Sequence, residues 1–346
     1  MNRRLKAGCG ATVLALVGNS VAGAGGNLGP ARNGKVTFWI SGRATGIEVV
    51  RPDGSGRRVI AGPGSCSTFA AGEQPCGIHG MAWSRDGRRL AFVRRAAATT
   101  LRLVQADGKG ETELLDCPPS QPCDGSLAWS PDAANVVVTR GGSLYAVRVK
   151  DHTVRRLTRS SQDDDPVWSP DGSMIAFTRG SVYTARPDGS GRHEVPGTFG
   201  AYSLSWSPDS TSIAFAKAAG VYTVRADGSR LARIATVPNW ADNVAWSPDG
   251  TRILYSSTPG TEGAYSGEVW TIRPDGTRPR RVYRQECCID YSPTGIWSPD
   301  GKQIAVSAAG GFSVANSDGS GLHLLADGVI ATGSAGTPQL AWQPLR

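Results

Sequence analysis

The chain has 346 residues, 39% of them apolar and 19% charged, an ordinary globular composition and not that of a disordered chain. Its 45 glycines and 22 prolines argue against a helical bundle, since helix interiors tolerate neither residue. The formal net charge is +8, and no run of about 20 apolar residues is present to form a spanning helix.

Residues 1–24 read as a secretory signal. Arg3, Arg4 and Lys6 form a basic start, Ala7 to Val17 a short apolar stretch, and Ala22-Gly23-Ala24 a small-x-small cleavage site. The alternative is a disordered tail. Cys9 has no apolar stretch ahead of it, which argues against lipidation. Loss of the segment leaves 34 basic residues against 29 acidic, a net charge near +5. No basic run with interleaved aromatics is present, so nucleic-acid binding is not expected. Residues 25–34 read as a linker.

Six cysteines remain: Cys66, Cys76, Cys117, Cys123, Cys287 and Cys288. An even count in local pairs fits disulfides in an oxidising compartment. Cys66–Cys76 and Cys117–Cys123 would close short loops, each adding roughly 2–3 kcal/mol in the chain-entropy account. The adjacent Cys287 and Cys288 are open to three readings: a vicinal disulfide, free thiols or a link to a partner. No zinc-type spacing occurs.

One repeat fills residues 35–346. Trp-Ser-(Pro/Arg)-Asp-Gly or a close variant begins at Trp83, Trp129, Trp168, Trp206, Trp246 and Trp297, with a truncated copy at Trp342. The spacings of 46, 39, 38, 40, 51 and 45 residues match the length of a four-stranded propeller blade. After each turn comes a β-type run such as Met174-Ile175-Ala176-Phe177 or Ser212-Ile213-Ala214-Phe215. A second follows, such as Gly220-Val221-Tyr222-Thr223-Val224. Then come an Asp-Gly turn and a third run, such as Arg280-Arg281-Val282. Alternating β-branched and aromatic residues between Asp-Gly turns signal strands and hairpins. With the Trp strand this makes four strands per unit, A to D. The first unit lacks strand A, and Leu340-Ala341-Trp342 supplies it from the far end. The expected fold is all-β: a seven-bladed β-propeller of four-stranded antiparallel blades, closed by pairing of the N- and C-terminal strands.

The Trp-Ser-Pro-Asp-Gly elements resemble the TolB-type propeller repeat, a relative of WD-repeat propellers, over residues 35 to 343. The resemblance implies a propeller with a binding face. It departs from TolB itself, which has six blades and an additional α/β domain before them, for which this sequence leaves no room. The similar propellers of prolyl-oligopeptidase-type enzymes are followed by a hydrolase domain. This chain ends at Arg346 and contains no Gly-x-Ser-x-Gly.

The repeated Asp residues, Asp171, Asp249 and Asp300 among them, are read as turn chemistry, with Pro fixing φ, Asp capping and Gly taking φ > 0. The Trp is expected to fill the gap between blades. Arg57-Arg58, Arg155-Arg156 and Arg280-Arg281 fall in or beside strand D, where edge charge blocks aggregation; the alternative is contact with an anionic surface or polymer.

Function is expected on the face formed by the B–C and D–A loops, which vary while the other face repeats. The residues entering strand A beside the channel are His79, Asp124, Asp163, Asp164, Asp165, Tyr202, Asp242 and Asn243, with Trp240 just before. Such a mouth is acidic in a basic protein. It suits a cation: calcium, a basic peptide or an amine. Tyr202 and Trp240 add an apolar or cation–π surface. The plainer alternative is a hydrated mouth with Asp residues capping loop turns.

No catalytic residue is assigned, and of four histidines only His79 lies near the mouth. The expectation is an exported binding or interaction module, secreted or periplasmic and monomeric. Its partner would be an envelope or extracellular protein, or a glycan. No cofactor is expected; calcium is the one candidate metal. The alternative is a lyase or hydrolase acting on carbohydrate or peptide, with His79 and the mouth carboxylates as acid and base.

Overall fold

A computed structural model describes residues 32–40, 46–62, 77–95, 98–258, 267–285, 293–308, 311–327 and 340–345. The expected signal segment, Cys66, Cys76, Cys287 and Cys288 lie outside the described residues.

Among the described residues, twenty-eight strands form seven four-stranded sheets, antiparallel throughout. This is the expected seven-bladed propeller. Blade 2 shows the pattern: strand A is Gly77–Trp83, B is Arg89–Arg95, C is Thr99–Gln105 and D is Thr112–Cys117. Blades 3 to 7 repeat it. Each strand A also packs against strand A of the next blade, so the seven inner strands form a closed ring around the channel.

Blade 1 takes its inner strand from the C-terminus. Leu340–Leu345 pairs antiparallel with Arg32–Ile40, with Trp342 opposite Val36 and Leu340 opposite Phe38. The N-terminal strand therefore starts inside the stretch read as linker. Gln343 Nε2 donates to the Gly87 carbonyl of blade 2 at 2.7 Å. On the outer rim, His323 Nε2 of blade 7 lies 2.9 Å from the Pro52 carbonyl of blade 1. The ring is thus fastened at both its inner and outer edges.

The core lies between blades. Seven apolar clusters occupy the seven gaps, each built from two neighbouring sheets. Strand B supplies most of the largest side chains: Phe38, Phe92, Phe177 and Phe215 are wholly buried, joined by Phe312 on strand C of blade 7. A blade buries both faces, so its middle strands are near-continuous apolar runs. The motif tryptophans close the gaps, as expected. Trp83 Nε1 donates to Thr37 Oγ1 of blade 1 at 2.8 Å, Trp129 Nε1 to the Ala82 carbonyl of blade 2 at 2.9 Å, and Trp297 Nε1 to the Ala245 carbonyl at 3.1 Å.

The motif aspartates build turns. In blade 4, Ser169 Oγ donates to Asp171 Oδ1 (2.6 Å), which also accepts the Ser173 N–H (3.0 Å), while Ser169 Oγ accepts the Met174 N–H (2.9 Å). The same set recurs around Asp86, Asp132, Asp209, Asp249 and Asp300. The strand D arginines do more than protect an edge. Arg58 donates to the Asp107 and Ala106 carbonyls in the C–D turn of blade 2, at 2.8 and 2.9 Å. Arg57 pairs with Glu48 and Arg281 with Glu268. Their guanidinium groups tie the outer edges of blades 1 and 6 to their own middle strands and, through Arg58, blade 1 to blade 2.

Candidate functional site

Strand A reaches the channel mouth through a bulge. The ladder with strand B breaks between Asp164 and Val167, Tyr202 and Ser205, and Asp242 and Ala245, in blades 4, 5 and 6. In each break one residue takes a left-handed conformation: Asp165 (φ 50°), Ser203 (φ 56°) and Asn243 (φ 53°). Such φ values are uncommon outside glycine, and short polar side chains tolerate them best. All three sit three residues before their motif Trp. A bulge re-aims its side chain, and here it stitches blades together. The Ser203 N–H donates to Asp165 Oδ2 (3.4 Å), the Val244 N–H to Ser203 Oγ (2.9 Å), and Asn243 Nδ2 to the Gly295 carbonyl of blade 7 (2.7 Å).

Blades 2 and 3 meet differently. A Cβ on Gly80 would lie 1.7 Å from the Gly125 carbonyl oxygen, and one on Gly125 would lie 2.3 Å from the His79 carbonyl oxygen. Only glycine allows this approach. The mouth is therefore lopsided, with bare backbone on one side and polar side chains on the other.

The candidate carboxylates separate into two kinds. Asp163 is fully buried and held by Arg179, whose Nε and Nη2 donate to its two oxygens at 2.5 and 2.9 Å. That bidentate bond holds the guanidinium pKa above its usual value. The pair fixes the turn after strand B of blade 4. Asp124, Asp164, Asp165 and Asp242 have no ion-pair partner among the described residues. They form a chain of mutual repulsion: Asp164 acts on Asp124 and Asp165, and Asp242 acts on Asp165. Asp164 also accepts a hydrogen bond from Thr139 (3.1 Å).

Their acidities follow. Burial pushes Asp242 up to about 6, against the opposing Asn243 N–H at 2.7 Å. Asp165 keeps an opening to the channel yet is surrounded by protein; burial first, then Asp164 and Asp242, drive it well above the carboxylate range. Asp124 rises through burial and Asp164, with Arg95 opposing. His79 goes the other way: burial and the nearby Arg95 push it down to about 4, leaving a neutral imidazole at pH 7.

An aromatic wall stands beside the carboxylates. Tyr202 and Trp240 stack with centroids 5.2 Å apart and planes 18° apart. The Tyr202 hydroxyl donates to the Ala241 carbonyl at 2.7 Å, and burial and the Asp242 charge raise its pKa. Trp240 stays 50% exposed, and Phe199, in the loop from blade 4 to blade 5, is 78% exposed.

Two features escaped the sequence. Phe199 lies in a loop with no motif. A basic arc, Arg95, Arg140, Arg179 and Lys217, lies at the ends of strands B in blades 2 to 5. Its signal was present, as a cation recurring at nearly constant distance after the motif Trp. The described part of the blade 2–3 connection holds the Cys117–Cys123 disulfide, with Cα atoms 5.5 Å apart, as expected. Among the described residues no three His, Cys, Asp or Glu side chains group as a metal site, and no helix is long and apolar enough to cross a membrane.

Comparison with known proteins agrees on fold. The fold is similar to that of the TolB propellers and related propellers. The chain is similar to a TolB from Agrobacterium tumefaciens described as putative, with 18% identity and a TM-score of 0.51, over 68% of this chain and 94% of that one. It is similar to TolB from Acinetobacter baumannii at 16% identity and a TM-score of 0.54, over 90% of this chain but only 66% of that one. An oligogalacturonate lyase from Vibrio parahaemolyticus matches at 11% identity and a TM-score of 0.59, over 88% and 87% of the two chains. No family model and no curated protein matches the sequence. At these identities the likeness concerns the fold alone.

Proposed function

We propose that this protein is an exported propeller that acts as a binding module, with its ligand held at the channel mouth on the B–C and D–A face. The observation that carries the reading is the juxtaposition of four carboxylates that have no ion-pair partner among the described residues with an exposed aromatic wall. Unpaired carboxylates in a concave, partly dry site attract positively charged or hydrogen-bonding groups, and exposed Trp and Phe supply the apolar anchor typical of contact surfaces. Export is supported by the disulfide, which belongs to oxidising compartments. The partner is an envelope or extracellular protein, or a glycan.

The fold is shared with TolB proteins and a lyase, and a fold by itself does not choose between binding and catalysis. The site favours binding. The one histidine at the mouth, His79, is held at about 4, where an imidazole is a weak base at neutral pH. A calcium ion at the mouth stays a separate proposal, tested by whether a chelator lowers the melting temperature.

Site-specific photocrosslinking tests the module. A crosslinker at position 199 should capture a discrete partner from envelope or culture-medium extract, and one at position 281 on the outer rim should not. Capture from position 281 alone would move the site to the strand D edge and overturn the reading.

A further inference from the structure

We propose that the mouth between Asp165 and Asp242 receives a primary ammonium group, with its alkyl stem lying along the Tyr202–Trp240 wall. This rests on the binding-module reading and names the chemistry its ligand presents there.

The acceptors are open in a specific way. Asp242 is 6% exposed, and its Oδ1 takes the Asn243 N–H at 2.7 Å. Its Oδ2 has no hydrogen bond among the described residues. Asp165 Oδ2 has only the long 3.4 Å bond from Ser203, and its Oδ1 has none. Ser126 Oγ is 1% exposed and faces Asp165, easing its charge, yet falls short of hydrogen-bond geometry. Asn243 is wholly buried. Its Nδ2 is committed to the Gly295 carbonyl, which leaves Oδ1 as the unpartnered atom. A buried polar atom without a partner costs about 1–3 kcal/mol; Ser126 Oγ is such an atom beside Asp165, and Asn243 Oδ1 is one on the residue that follows Asp242, so this part of the mouth is short of donors.

The donor is an ammonium rather than a metal. An –NH₃⁺ group carries three N–H donors and no acceptor, which matches two carboxylate oxygens and one neutral oxygen. A divalent hard cation asks for roughly six to eight oxygens, and no three acidic, histidine or cysteine side chains converge here among the described residues. The stacked Tyr202 and Trp240 favour the same choice. Aromatic faces attract organic cations and cover an alkyl stem, and they supply none of the oxygen ligands a hard divalent ion needs. The raised acidities of Asp165 and Asp242 are what two carboxylates show when their counter-charge is absent.

The group can come from a free diamine or from a lysine side chain of a partner, and titration calorimetry on the full chain separates the two. The probes are cadaverine, N-acetyl-lysine-N-methylamide, its Nε-acetylated form, a quaternary trimethylammonium analogue, and calcium chloride. Cadaverine or the lysine probe should bind, and the acetylated and quaternary forms should not. The double variant Asp165→Asn, Asp242→Asn should weaken binding at least about tenfold, the loss of charge-assisted bonds. Its melting temperature certifies the fold. If it does not fold, Ser126→Ala carries the same test. Saturation by cadaverine but not by the lysine probe assigns a free amine; the reverse assigns a lysine side chain. Absence of binding by either at millimolar concentration, calcium binding in their place, or affinity unchanged by the variants overturns the proposal. Amine binding without any captured partner would sink the module reading alone. A partner captured at position 199 and not displaced by cadaverine would sink the ammonium reading alone.

Discussion

Strand A carries the Trp-Ser-Pro-Asp-Gly turn at one end and the channel bulge at the other, and the two ends are filled in opposite ways. At the turn end every polar atom has work. Ser169 Oγ and Asp171 Oδ1 between them make five hydrogen bonds inside one turn, and the core of the pattern recurs in six blades. At the bulge end Asp165 and Asn243 stitch neighbouring blades with some of their atoms and leave the others open. Saturated turns repeat because they only have to hold the ring. The bulges differ from blade to blade because each meets a different neighbour: Asp165 meets Ser203, Ser203 meets Val244 and Asn243 meets Gly295. Within one strand, repetition accompanies the saturated end and variation the open one.

The largest expected effect concerns the scaffold. Removing residues 338–346 takes away the inner strand of blade 1, including buried Trp342. A buried Trp alone is worth about 3–5 kcal/mol. The melting temperature should therefore fall by at least about 10 °C, at ~2–4 °C per kcal/mol; an unchanged melt would refute closure by the termini.

Next comes Asp163, which lies at the mouth but behaves as scaffold. Asp163→Ala strips Arg179 of its partner, and breaking a buried pair costs about 3–5 kcal/mol. Chemical denaturation checks this. A neutral result would place Asp163 with the open carboxylates.

Asp242 should behave in the opposite sense. Its pKa rises on folding from 3.8 to about 6, so folding favours the neutral acid. That contribution is fully present below pH ~4 and is lost as pH rises through 6. Relative to Asp242→Asn, the wild-type protein should lose roughly 2–3 kcal/mol between pH 4 and pH 7. His79, whose pKa is lowered to about 4, works in the other direction: its contribution is lost as pH falls from 6.5 towards 4. It is present in both proteins and cancels in the difference. Parallel stability curves for the two would mean that Asp242 is not the strained group.

The smallest effect sharpens the scaffold side. Trp129 Nε1 donates to the Ala82 carbonyl, whereas Trp246 Nε1 has no partner among the described residues. Both rings fill equivalent gaps. Trp129→Phe should cost about 1–2 kcal/mol more than Trp246→Phe, the value of a buried hydrogen bond. Equal losses would show that the tryptophans act by volume alone.

Much of this was legible before any coordinates. Trp spacing, Asp-Gly turns and the orphan strand at Leu340 specify seven blades and their closure, because each is a local requirement repeated along the chain. That the candidate residues enter strand A was legible, since they precede each motif Trp. The division of their carboxylates was not. Asp163, Asp164 and Asp165 are adjacent in sequence, yet Asp163 meets Arg179 while Asp165 lies within the field of Asp242, which belongs to another blade. Phe199 and the basic arc were missed because neither belongs to the motif.

By itself the sequence determined the repeat, the strand pairing within each blade and the turn chemistry, all set by residues a few positions apart. Tertiary structure alone decided which carboxylates are neutralised, which are left open, and where glycine replaces side chains at the mouth. Those outcomes depend on distances between blades, and such distances exist only once the ring has closed.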